Sequence, residues 1–526
     1  MTSAFSTATR YAPRGMVCTV DHLATAAGVE VLAGGGNAVD AAIAAHAVLA
    51  VTAPHLCGLG GDLFALVHDG SGGAPAALDA SGRAGSGADP ERLRAEGRTS
   101  MPFTGDIRSV PIPGCVDGVL ALHARYATRE LADLVAPAVR LAEDGFPASP
   151  IMVRPAARLE GVEGAGDLLA ATHAGAVVRR PGVARTLRGI AADGRAAFYG
   201  GEFGAGLLAL GAAAARDGVR PEYDAADLAR HQAQWVTPVA ARAWGHTLWS
   251  TPPVSQGYLL PLAAEIADGL DLPDDADDPL WAHLLVEAAR AAGHDRLDVL
   301  HEDATPPLDS AAERRAGIDA ERRSPRFDPP QRDGDTTYLC AVDGDGLAVS
   351  LIQSNAAGFG SLLFEPSTGI NLQNRGVGFN LRPGHPAEYG PGRRPPHTLT
   401  PALVTRPDGS LRAVVGSMGG DSQPQLLLQI VARLLAGGAT AGEAIGAPRW
   451  RLDSGDTGFD TWENAVRVEV EHGSPWVAGL RERGHDVVEA AAGVGFGHAH
   501  LVDVTDEGVR AGAADPRAVI GAASGV

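Results

Sequence analysis

The residues best placed to do chemistry fall into four groups. Gly416-Ser-Met-Gly-Gly-Asp421 follows a strand-like run, Ala413 to Val415, and precedes a helical pattern, Ser422 to Ala436. A strand that breaks at Gly419-Gly420 before a helix start points backbone N–H groups into open space, which is one way to build an oxyanion hole. His301-Glu302-Asp303 and His498-Ala499-His500 are short histidine runs. With no third ligand at metal spacing and no HExxH, they argue for no metal. Gly34-Gly-Gly-Asn37 and Gly58-Leu-Gly-Gly-Asp62 are glycine-rich but fit no dinucleotide fingerprint, and they read as tight turns and helix caps. Asp335-Thr336-Thr337-Tyr338 puts two hydroxyls where an extended stretch meets a strand. Threonine is a favoured strand residue, so that pair alone is ordinary.

Composition removes whole classes of chemistry. The 43 cationic residues of the 526-residue chain are all arginine. Without lysine there is no P-loop lysine, no Schiff base for a pyridoxal cofactor and no kinase-type lysine. A net charge of −20 argues against nucleic acid and anionic membranes as partners. Cys18, Cys57, Cys115 and Cys340 are scattered and read as reduced, buried thiols rather than a disulfide framework or zinc site. The first 17 residues hold no apolar signal-peptide core, and no long uncharged apolar run follows. The expectation is a cytoplasmic protein without cofactor or metal.

These groups need elements to position them. Asn37 can cap a helix from Ala38 to Val51, ended by Pro54. Phe64 to Val67 and Ala76 to Leu78 read as buried strands, and residues 120–300 as Ala-rich and helical, for example Asp227 to Ala233 and Leu280 to Ala292. Residues 303–335 are rich in Pro, Arg and Asp, which predicts an exposed, extended segment. Hairpins follow: Thr336 to Val342 with Leu347 to Ser354, Leu403 to Thr405 with Leu411 to Val415, and His500 to Val504 with Val509 to Ala511. The fold class expected is α+β, a layered sandwich rather than a doubly wound parallel sheet.

In order along the chain, several segments resemble the gamma-glutamyltransferase family of N-terminal-nucleophile hydrolases. They include Arg14-Gly-Met-Val17, Gly34 to Ala42, Pro54 to Gly61, Val110 to Gly114, Ala136 to Gly145, Thr336-Thr337, Phe359-Gly360, Arg394-Pro395, Gly416 to Gly420, Ala447 to Arg449 and Asp515 to Arg517. The resemblance implies a four-layer αββα sandwich and a precursor that cuts itself at Asp335–Thr336. The products would be a large fragment, residues 1–335, and a small one, residues 336–526, which form one composite domain. It further implies Thr336 as nucleophile, Ser354 as its supporting hydroxyl, and Gly419 and Gly420 as oxyanion donors.

Where the family reads a glutamyl amino group, this chain has Ala356, Arg375 and Gly378. The paired-Ser position reads His397-Thr398, and the usual carboxylate-binding arginine aligns near Ser81, two residues before Arg83. The pattern is nearer the acylase-like branch that includes oxamate amidohydrolases. It implies hydrolysis of a small amide that carries a carboxylate, for which Arg83, Arg375 and Arg394 are candidate partners. Two rivals are a true gamma-glutamyl hydrolase or transpeptidase acting on glutathione, and a non-processing, non-catalytic binding homologue.

Overall fold

The computed structural model describes residues 7–213, 220–325, 335–453 and 467–526. Two seven-stranded antiparallel sheets face each other. The first runs in the order Ala522–Gly525, Met16–Thr19, Asp335–Val342, Leu347–Ala356, Asp62–Asp69, Ala76–Ala80 and Gln234–Val236. The second runs Arg10–Ala12, Arg510–Ala514, Ala499–Val504, Leu411–Ser417, Ala402–Thr405, His246–Ser250 and Val239–Ala243. Each sheet therefore mixes strands from before and after Thr336.

Alternation along the strands builds three cores. Phe64, Leu66, Tyr338, Cys340 and Ile352 meet Leu403, Val414 and Val502 between the sheets. Their neighbours Leu63, Ala65, Leu339, Ala341 and Leu351 point outward, against helices His22–Ala33, Ala38–Thr52 and Leu131–Asp144. The other sheet is covered by Leu259–Asp268, Pro279–Gly293 and Gln423–Leu435. The result is the four-layer αββα sandwich.

Helix Ala38–Thr52 is buried on every face, as its nearly unbroken run of Ala, Val, Ile and Leu requires. Asn37 and Asp40 form a reciprocal capping box at its start. The three expected hairpins are present; where their ends differ, they are shifted by one to three residues. Two expectations change. The stretch read as Ala-rich and helical in character contains the hairpin Val239–Ala243 to His246–Ser250, which forms the edge of the second sheet. The described part of the Pro- and Arg-rich segment, up to residue 325, is docked rather than wholly exposed. It carries the short helix Ala311–Arg315, with Ala311 and Arg314 buried; residues 326–334 lie outside the described residues. All four cysteines are buried free thiols. Among the described residues, no helix is long and apolar enough to cross a membrane.

Several histidines are enclosed without charge. Burial lowers the pKa of His46 and His498 to about 4, and that of His55, His485 and His500 to about 3. Below about pH 6.5 the unfolded chain binds protons that these folded sites refuse. Their contribution is thus complete above about pH 6.5 and is lost as the pH falls toward 4 and then 3, by up to about 1.4 kcal/mol per pH unit for each group. The urea midpoint should be clearly lower at about pH 5 than at about pH 7.5; equal midpoints would contradict neutral burial.

Candidate active site

Thr336 is the second residue of the third strand of the first sheet and is fully buried. The pairing with Leu347–Ala356 slips at this point. Asp335 faces Ala356 but Thr337 faces Gln353, so Ser354 and Asn355 together oppose Thr336. A bulge of this kind turns side chains out of plain alternation. Here it brings Thr336 Oγ1 to 3.0 Å from Ser354 Oγ. Ser354 Oγ also accepts the Ala356 N–H at 2.8 Å. Ala356 sits at φ 75°, a turn of the backbone that folds its N–H back onto that hydroxyl.

Asp62 lies directly across from Ser354 on the next strand, which puts both side chains on one face. Its Oδ2 accepts the Nε2–H of His397 at 2.7 Å, while His397 Nδ1 accepts the Leu399 N–H at 3.2 Å. Those two bonds fix the tautomer. Burial and the Arg375 charge hold the imidazole pKa below its usual value, so the ring is neutral. Arg375 begins the short turn Arg375–Gly378, with Nε 3.5 Å from Asp62 Oδ2. Its pKa is pushed down by burial and supported by Asp62 and Asp421.

Gly419 and Gly420 follow strand Leu411–Ser417 with φ of 131° and 53°. A Cβ on Gly419 would approach Ser422 Oγ at 2.9 Å in a backbone region that L-residues avoid. The carbonyls of both glycines are tied down. Ser422 Oγ donates to Gly419 O at 2.7 Å, and Gln256 Nε2 donates to Gly420 O at 2.9 Å. Gln256 also donates to Thr398 O at 2.8 Å. Arg296 Nη2 binds both Gln256 Oε1 at 2.6 Å and Asp421 Oδ1 at 2.7 Å. Side chains before and after Thr336 therefore hold the Gly-Gly loop in place.

The structure brings Thr336, Ser354, Arg375 and His397 together around Asp62, and ties Gly420 and Thr398 to Gln256 and Gly419 to Ser422. Arg83 and Arg394 are engaged elsewhere. Arg83 pairs with Glu302 at 2.8 Å and donates to Gly392 O. Arg394 donates to Asp79, Ser81 and Gln232 O, at 3.3, 2.9 and 2.6 Å. Asp335 is placed only as the first residue of its strand. Sequence reasoning missed Asp62, Gln256, Arg296 and Asp421. Asp62 ends a glycine run already noted, and its register partner explains that run: a Cβ on Gly61 would lie 2.3 Å from Ser354 O.

Comparison with known proteins decides the family. The family model described as gamma-glutamyltranspeptidase matches residues 24–525. The chain belongs to the gamma-glutamyltranspeptidase family. It is 36% identical to the oxamate amidohydrolase proenzyme of Klebsiella pneumoniae, over 97% of this chain and 98% of that protein. It is 34% identical to the glutathione hydrolase-like YwrD proenzyme of Bacillus subtilis, over 97% and 98%. The crystal structure of cephalosporin acylase from Bacillus halodurans superposes with a TM-score of 0.89 at 32% identity, covering 100% of this chain and 98% of that one. The chain is thus an enzyme of the N-terminal-nucleophile hydrolase class. Neither a glutathione transpeptidase nor a non-catalytic homologue is the favoured reading.

Asp62 is fully buried, the counter-ion of Arg375 and the hydrogen-bond acceptor of the neutral His397. Asp62→Ala leaves a buried cation unpaired and should cost about 3–5 kcal/mol in denaturant unfolding. A loss under about 1 kcal/mol would show that the pair does not matter to stability.

Proposed function

We propose that this chain is an autoprocessing N-terminal-threonine amidohydrolase with Thr336 as its nucleophile, acting on a small amide whose acyl part carries a carboxylate. The observation that carries the reading is the Thr336–Ser354 hydroxyl pair in a buried bulge at the very start of a central strand.

In the precursor, Thr336 Oγ1 adds to the carbonyl carbon of Asp335. The acyl group shifts from nitrogen to oxygen, and water hydrolyses the ester. Fragments of 335 and 191 residues result. Thr336 then owns a free α-amine, whose ordinary pKa of about 7.7–8.0 lets it take the hydroxyl proton near neutral pH. One residue supplies nucleophile and base. Ser354 holds the hydroxyl in place, and the Gly419 and Gly420 N–H groups take up the charge of the tetrahedral intermediate, each worth about 2.7–4 kcal/mol in the transition state. Thr336 attacks the substrate carbonyl, the amine product leaves with a proton, and water releases the acyl group from the ester.

The carboxylate rests on Arg375. Its Nε meets Asp62 at 3.5 Å rather than in a close fork, so it keeps donors for an incoming anion. Arg83 and Arg394 already have acceptors and carry less of this proposal, while His397 and Thr398 line the same side through Asp62 and Gln256. A relative of nearly equal length is named for oxamate, itself a carboxylate-bearing amide. Ala356 and Gly378 offer no side-chain acceptor for a glutamyl ammonium, which argues against glutathione as the main substrate.

Two outcomes test this. Purified wild-type protein should show two bands on a denaturing gel, the smaller beginning at Thr336, and Thr336→Ala should give one full-length band with no amidase activity; turnover by that variant would refute the nucleophile. Arg375→Gln should raise KM for carboxylate-bearing amides at least about tenfold, as expected for the loss of a charged hydrogen bond, and spare neutral amides. Equal effects on both classes would remove Arg375 from substrate recognition.

A further inference from the structure

We propose that His283, Glu287 and His485 form a binding site for one zinc-class divalent ion, distant in function from the Thr336 site. His283 and Glu287 are one turn apart on helix Pro279–Gly293 and so share a face. His485 follows helix Val477–Glu482. All three are buried, and one ligand atom from each lies within 4.8 Å of the others.

The hydrogen bonds orient the donors. His283 Nε2 faces the Asp319 carbonyl at 2.8 Å, so that nitrogen carries the proton and Nδ1 presents a lone pair. Such a carbonyl anchor is the usual outer partner of a metal-bound histidine. His283 Nδ1 lies 2.8 Å from His485 Nε2. Donors on tetrahedral zinc with bonds of about 2.0–2.1 Å stand about 3.3 Å apart, so the rings must open by about half an ångström. Ion entry also needs His485 in its Nδ1–H tautomer. Both rings are neutral ligands at ordinary pH, since burial lowers both pKa values.

Charge sets which ion fits. Glu287 is hydrogen-bonded by Arg290, and the charges of Arg290, Arg323 and Arg483 bear on His485. An incoming ion must share Glu287 Oε1 with Arg290. Ions that favour oxygen, such as Mg2+ and Ca2+, gain little from two imidazoles and are excluded, whereas Zn2+ and Co2+ gain far more from them and accept a four-coordinate site. The site joins segments on either side of Thr336. His283 and Glu287 lie upstream and His485 downstream, while Ser324 N donates to Glu287 Oε2 at 2.9 Å. A bound ion would clasp the two proposed fragments and hold down the segment that leads to the cut. Only this clasping role rests on the proposed cleavage.

The test is a Co2+ and Zn2+ titration of chelator-stripped wild-type protein. One equivalent of Co2+ should bind with the visible bands of four-coordinate cobalt, Zn2+ should displace it, and Zn2+ should raise the Tm. His283→Gln and His485→Gln should each abolish the bands and the Tm shift while retaining amidase activity. Thr336→Ala should bind as wild type does, even if no cleavage occurs. Failure of wild type to take up cobalt in this geometry overturns the proposal, as does unchanged binding by folded variants. If the variants do not fold, an anomalous map at the zinc edge of wild-type crystals decides: a peak among the three side chains supports the site, and a peak only elsewhere overturns it.

Discussion

Thr336 meets Ser354 because one strand is pinned on both sides with a single slip in register. Strand Asp335–Val342 pairs with Met16–Thr19 along one edge and with Leu347–Ala356 along the other. From Thr337 onward each residue faces a single residue of Leu347–Ala356, and the side-chain sequence is fixed by alternation. At Thr336 two residues stand opposite one, and the regular rule lapses. Ser354 remains in register with Asp62. The hydroxyl pair, the Asp62–His397 pair and the Arg375 contact all descend from that geometry. A shift of one residue in either pairing would turn Ser354 toward the helical layer and leave Thr336 with no hydroxyl beside it.

The electrostatics around this point are balanced rather than strongly charged. Asp62 stands with Arg375 and a neutral His397, and Asp421 stands with Arg296. Each carboxylate also organises a loop: Asp62 holds His397 in one tautomer, and Asp421 with Arg296 holds Gln256 against the Gly-Gly turn. Arginine suits this task because one planar group can serve several acceptors at once. Arg296 spans a carboxylate and an amide, and Arg517 joins Glu471, Asp515 and two backbone carbonyls. A lysine-free chain can therefore keep cations in its core where a lysine would demand more water.

What the sequence made legible was local. The Asn37 cap, the hairpins after Thr336 and the Gly419-Gly420 break each announce themselves within a few residues. The hairpin Val239–Ala243 to His246–Ser250 did not, because Val-Ala-Ala-Arg-Ala looks helical by propensity and becomes a strand only through pairing of its partner with Ala402–Thr405. Nor did the Asp62–His397 bond, whose partners stand 335 positions apart. Arg394 was equally opaque: its pairing with Asp79 spans 315 positions, and no spacing rule separates it from Arg375, which faces the site. The motifs pointed to the hydroxyl and the glycines, while the charged residues around them depend on the tertiary fold.

The interleaved sheets also explain how a cut beside Thr336 is compatible with a stable product. Five strand pairings would join the two fragments: Ala522–Gly525 with Met16–Thr19, Met16–Thr19 with Asp335–Val342, Asp62–Asp69 with Leu347–Ala356, Arg10–Ala12 with Arg510–Ala514, and His246–Ser250 with Ala402–Thr405. Breaking the chain at residue 335 undoes none of the pairings beyond the bulge. A proposed cut at Asp335–Thr336 would leave Thr336 at the head of a strand that is paired with Met16–Thr19 along one edge and with Leu347–Ala356 along the other. A new terminus held in this way is what a nucleophile needs if its own amine is to be positioned by the event that releases it.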